Sequence, residues 1–183
     1  MILPIVAYGH PVLRKVSQDI EPDYPDLNKL IGDMWETMYS SNGVGLAAPQ
    51  VNKDIRLFVV DSEQIFRNME PDEKKEYPDD SGIKQVFINA HIKEINGEKW
   101  AYNEGCLSIP EFREPVTRAR KVTIRAQDVN GKWFEKTGED LLARAFLHET
   151  DHLNGKLYIS HISALKRDLM KRKIRKLMKA GEW

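Results

Sequence analysis

His148 and His152 stand four residues apart with Glu149 between them, in the run His148-Glu149-Thr150-Asp151-His152. On an α-helix, residues four apart lie one above the other on a single face, so both imidazoles can reach one ion. The run therefore asks for a helix whose polar residues point inward. Leu141, Ala145, His148 and His152 fall at i, i+4, i+7 and i+11, so an apolar stripe leads into the histidines. Unpartnered polar groups on such a face are costly, and a shared metal ion satisfies them. Glu149 is then placed to act as a base on a water at the metal. Without the inward stripe, two histidines on an exposed helix would account for the run equally well.

Two imidazoles leave a catalytic site one protein ligand short. One metallopeptidase pattern places the third ligand downstream, as H-E-x-x-H-x-x-G-x-x-H. Gly155 fits it, but Tyr158 occupies the ligand position and His161 is out of register. Asp168 and Glu182 lie among the bases of the last segment. Upstream, Cys106 is the only thiol, within Glu104-Gly105-Cys106-Leu107-Ser108. A thiolate with two imidazoles suits iron, zinc, cobalt or nickel in a tetrahedral site with one open position. A lone cysteine is otherwise a small buried hydrophobe. One cysteine also excludes an intramolecular disulfide and favours a reducing compartment.

The 183 residues, 41% hydrophobic and 31% charged, have a globular composition of single-domain size. The spacing of Leu27, Leu30, Ile31, Met34 and Met38 predicts a helix over 25–39, and the RLFVVD run at 56–61 predicts a buried strand. Residues 62–81, with seven acids, three bases and no periodicity, predict an exposed insertion or long loop. Asn96-Gly97 and Asn130-Gly131 each separate β-prone runs and predict two type I′ hairpins. A second helix is expected over 140–153, stopped by Asn154-Gly155, and a third from the N-cap Ser163 to about 179. Together these predict one α+β domain over 1–183, with antiparallel hairpins around the histidine-bearing helix and a helix toward each terminus.

Bases and acids both number 28, which excludes a uniformly basic nucleic-acid coat. The cancellation is uneven, because residues 163–183 hold eight bases and two acids. No apolar run approaches the ~18 residues of a membrane span. The first 13 residues lack a basic leader, so a cytoplasmic location is expected.

Ahead of the RLFVVD run lies Gly43-Val44-Gly45-Leu46-Ala47-Ala48-Pro49-Gln50. The glycines permit unusual φ or close approach of a ligand backbone, and Gln50 adds an amide donor. Alone, this would be only a small-residue turn. Taken in order with the cysteine and histidine segments, it resembles the three motifs of the peptide deformylases. These metalloenzymes remove the N-formyl group from nascent bacterial polypeptides. The resemblance covers most of the chain and departs at 62–81, which is longer than in the family's compact members.

The resemblance implies that Cys106, His148 and His152 hold a divalent metal with water in the fourth position. The family typically uses Fe²⁺, with Zn²⁺, Ni²⁺ or Co²⁺ able to substitute. Glu149 would take the water's proton and later deliver it to the leaving amine. The metal, the Gln50 amide and the Leu107 backbone N–H would hold the oxyanion. By the same resemblance, Gly43, Val44, Gly45 and Leu46 would line the substrate, while Tyr102, Leu141, Arg144 and Ala145 would surround its methionine side chain. Arg113 would sit on the substrate-facing rim. Glu104 joins the substrate-binding group and, paired with Arg118, would orient the cysteine strand. The partners implied are N-formyl-methionyl nascent polypeptides and a ribosome met through the basic helix at 163–180, with neither DNA nor membrane. A bacterial, cytoplasmic monomer is expected. Two other readings stay open: a metallopeptidase cutting internal bonds, and an RNA- or ribosome-binding module with a structural histidine helix.

Overall fold

Leu57–Asp61 forms a strand, β2, in which every residue is buried. Its side chains alternate between two cores. Leu57 and Val59 pack with Leu30, Met34 and Met38 of helix α1 (Leu27–Ser40). Phe58 and Val60 pack with Ala143 and Phe146 of helix α4 (Leu141–Leu153). A strand covered on both faces has no use for alternating polarity, which is why this segment reads as an unbroken apolar run.

Around β2 stand β1 (Gly45–Ala47), β3 (Lys84–Cys106), β4 (Ile109–Gln127) and β5 (Trp133–Glu139), in one antiparallel sheet ordered as in the sequence. Helix α5 (Ala164–Lys179) lays Met170 and Ile174 on Ile109 and Val116 of β4, and Ser163 caps its start by accepting from Lys166 N at 3.3 Å. The computed structural model describes residues 1–77 and 82–181; residues 78–81 and the last two of the basic C-terminal segment lie outside the described residues. The α+β architecture expected from the sequence is the one observed.

Asn96-Gly97 does not make a hairpin. Both residues sit inside β3, which pairs with β4 on either side of them, from Asn96 opposite Lys121 to Lys99 opposite Ala119. Two β3 residues thus oppose one on β4, a bulge in which Gly97 takes φ +82°. The continuous strand instead pairs with β4 and sets Phe87 and Ala90 in the same core as Val122, Ile124 and Ala126. The actual reversal is two residues long, Leu107-Ser108, between the paired Cys106 and Ile109. The second hairpin stands, but of Asn130 and Gly131 only the glycine has positive φ, so its turn is not type I′. Asp128 closes that turn, its carboxylate accepting from Asn130 N and Lys132 N.

Over its described part, 62–77, the acidic segment is more ordered than its composition suggested, and 78–81 lie outside the described residues. It contains α2 (Glu63–Asn68) and α3 (Pro71–Lys74). Asp61 Oδ1 accepts from Glu63 N at 3.1 Å, and Phe66 is buried edge-on to Tyr77.

Candidate active site

The two-residue turn puts Cys106 at the end of β3, facing the helix that carries the histidines. Cys106 Sγ and the ring nitrogens of His148 and His152 offer ligand atoms all within 4.8 Å of one another. His148 Nδ1 is taken by Glu104 Oε1 at 2.9 Å, which leaves Nε2 for an ion. His152 presents Nε2 to the sulfur at 3.4 Å.

Burial alone would raise the Cys106 thiol, but the imidazoles of His152 and His148 outweigh it and bring the thiol down to about 5. Burial likewise opposes charge on His148, yet hydrogen bonds to Cys106 and Glu104 raise it well above its ordinary value. A thiolate is thus held beside a protonated His148, and a divalent cation can take the place of that proton. The donor set fits such an ion.

Glu149 is 4% exposed and its Oε2 has no hydrogen-bond partner among the described residues. Burial raises its carboxyl above the usual range, against the pull of the His148 and His152 charges. Such a carboxyl is suited to accept a proton and return it. Gln50 lies in the 3-10 turn after β1 (Ala48–Val51). Its Oε1 accepts from Ala47 N at 3.0 Å, and its Nε2 donates to Ser108 Oγ at 3.2 Å and lies 3.5 Å from Cys106 Sγ. The amide NH₂ is therefore turned toward the Cys106–Ile109 reversal, where Leu107 sits.

A cavity of about 530 Å³ opens over these groups, with Gln50, Cys106, Leu107, His148 and Glu149 on its wall. Gly43, Val44, Gly45, Tyr102, Arg113, Leu141, Arg144 and Ala145 also line it. Leu46 differs: its side chain is fully buried against α1, so it meets the cavity through its neighbours only. The two glycines leave room for the protein's own side chains, since a β-carbon on Gly43 would lie 2.8 Å from Leu107 Cδ1 and one on Gly45 would crowd Glu149.

Glu104 is 5% exposed and its carboxylate is fully engaged. Besides His148 it takes Arg118 through Nε (2.6 Å) and Nη2 (2.9 Å) and Arg144 through Nη1 (2.6 Å). Burial opposes its charge, but the hydrogen bonds from His148 and Arg118 hold it at about 2. The Glu104–Arg118 pair expected from the sequence is thus a buried one, and it reaches a histidine as well as the cysteine strand. The residues weighed as downstream ligands do other work: Tyr158 OH donates to Phe112 O, and His161 pairs with Asp151 at 2.8 Å. Ile65, Ile109 and Phe112 also line the cavity and were not singled out from the sequence. Only their position after the fold closes marks them, although Ile65 is an apolar residue amid acids.

The polypeptide deformylase family model matches residues 2–168. The peptide deformylase of Acidobacterium capsulatum is 49% identical over 183 residues, covering 100% of this chain and 99% of that protein. That of Christiangramia forsetii is 48% identical over 181 residues, covering 98% and 91%. The crystal structure of a peptide deformylase from Legionella pneumophila is similar with a TM-score of 0.81 at 38% identity, covering 100% of this chain and 98% of that one. The Ehrlichia chaffeensis peptide deformylase in complex with actinonin gives 0.83 at 32% identity, covering 96% of each. Since sequence and backbone agree over nearly the full length, and the agreement includes the segments that build the cavity, this chain belongs to the polypeptide deformylase family.

Proposed function

We propose that this protein is a metal-dependent hydrolase that removes the N-formyl group from the formyl-methionine of newly made polypeptides, releasing formate. The observation that carries this reading is the buried Glu149 carboxyl, with one oxygen unpartnered among the described residues, beside a thiol and two imidazoles at one cavity. A divalent ion held by Cys106, His148 and His152 supplies Lewis acidity and makes water more acidic. Glu149 accepts the proton of the attacking water and returns it to the leaving amine. The Gln50 Nε2 and Leu107 N–H donors stabilise the oxyanion as it forms. Val44 and Gly45, on the β1 side, align the peptide, with Gly43 leaving room for Leu107. Leu141, Ala145 and Tyr102 bound the methionine side chain, and Arg113 stands at the cavity's rim.

Fe²⁺ is the proposed ion, with Zn²⁺, Ni²⁺ or Co²⁺ as substitutes, since the ligand types accept all four. A cytoplasmic monomer of one domain is the proposed setting, where thiols stay reduced. No helix among the described residues is long and apolar enough to cross a membrane. The exposed bases of α5 support contact with ribosomal RNA, and reversing Arg172, Lys173 and Lys176 to Glu should abolish any salt-sensitive ribosome association. The enzyme reading is tested by formate release from a formyl-methionyl peptide. Glu149→Ala and Cys106→Ala should each lose nearly all turnover, with Glu149→Ala still binding metal. Retained turnover in either would overturn it.

A further inference from the structure

Arg144 lies one helical turn before His148 and is 5% exposed. Its guanidinium crosses from α4 to the β3–β4 arm. Nη1 donates to Glu104 Oε2 (2.6 Å) and Val116 O (2.8 Å), and Nη2 donates to Trp100 O (2.9 Å). The rings of Trp100 and Tyr102 flank it, with centroids 5.0 and 5.7 Å away. Three residues after His148, Asp151 takes Arg118 Nη1 from β4 at 3.0 Å. His148 is therefore bracketed along its helix by two charged ties to the same pair of strands.

We propose that Arg144 is a positioning residue for the metal ligands, bracing the helix of His148 and His152 against the strand that ends in Cys106. Core packing of Ala143 and Phe146 seats the helix, the Arg118–Asp151 pair ties it beyond His148, and Glu104 holds the His148 ring itself. Arg144 adds a tie on the near side of His148 and, through the shared Glu104 carboxylate, fixes the group that orients the ring, which sets the separation between sulfur and imidazoles. An arginine is required because its planar fork can satisfy a carboxylate and two carbonyls at once, which the single ammonium of lysine does less well. The same side chain lines the cavity, so one wall of the substrate pocket is also the brace.

This inference rests on the metal reading above, and cobalt loading separates the two. Co²⁺-loaded wild type, Arg144→Met and Arg144→Lys are compared by the rate of cobalt loss to a chelator and by the thiolate-to-cobalt absorption band. Outer partners of a metal ligand are typically worth about 10–100-fold in metal affinity or activity. Arg144→Met should lose cobalt faster by about that factor with an altered band, and Arg144→Lys should fall between it and wild type. If Arg144→Met keeps the wild-type off-rate and spectrum, the brace is refuted while the metal site stands. If Arg144→Met does not fold, the same comparison is decided by Arg144→Lys. A wild type that takes up no cobalt would sink the metal reading and the brace with it.

Discussion

The β-carbon that Gly45 lacks would lie 2.8 Å from Oε1 of Glu149 and 3.0 Å from its Cδ. An alanine at 45 would therefore push against the far end of a flexible side chain, which can yield at small cost to stability. It would yield by moving the group that handles the proton. Gly45→Ala should keep its metal and its melting temperature within a few degrees, while kcat falls by about 100-fold, the usual cost of displacing a reacting group by ~1 Å. Steady-state kinetics beside a thermal melt check this, and an unchanged kcat would show that Glu149 has slack.

Gln50 is 1% exposed and held at both ends of its amide, by Ala47 N and Ser108 Oγ. A donor held this rigidly stabilises developing charge without reorganising. Gln50→Ala should lower kcat by about 100- to 1,000-fold with a smaller change in KM. A rise confined to KM would instead assign Gln50 to ground-state binding.

Acid should act on the fold through Glu104. Its folded value of about 2 lies below its ordinary 4.5, so the anion is favoured in the native state. The stabilisation this gives, on the order of 3 kcal/mol, is complete above the ordinary value and is lost as pH falls from about 4.5 through 2. Urea unfolding across that window should show stability falling with pH. Glu104→Gln should flatten that slope and start from lower stability, because Arg144 would lose the carboxylate it pairs with and Arg118 would keep Asp151 alone.

Gly97 offers a contrast. It takes φ +82° and a β-carbon there would meet nothing closer than 3.6 Å, so only its backbone is strained by substitution. Gly97→Ala should cost about 1–2 kcal/mol of stability and leave deformylation unchanged. A clear fall in kcat would show that the arm beyond the bulge takes part in catalysis.

These residues also show which parts of the structure were legible in the sequence. The histidine helix was, because its burial and its chemistry share one period: Leu141, Ala145, His148 and His152 follow a single stripe. Cys106 was legible by elimination as the only thiol, and the five-residue apolar strand by its length. Asn96-Gly97 misled because a dipeptide that tolerates positive φ serves a bulge as well as a turn, and the choice is made by partners on β4 far along the chain. Arg144 was read as pocket lining for a similar reason. Its attachment to Glu104, Val116 and Trp100 exists only after the arm has folded back over the helix.

Because β2 is wedged between two helices, neither core can open without baring the other's shared wall. The α1 half and the catalytic half should therefore melt as one cooperative unit, and backbone amides of Phe58 and Val60 should exchange with solvent only through whole-molecule unfolding. A cavity made at Met34, on α1 and touching none of the ligands, would then shorten the lifetime of the metal-loaded enzyme on heating. For this fold, thermal resistance of the active centre is a property of the entire molecule rather than of the residues that surround the ion.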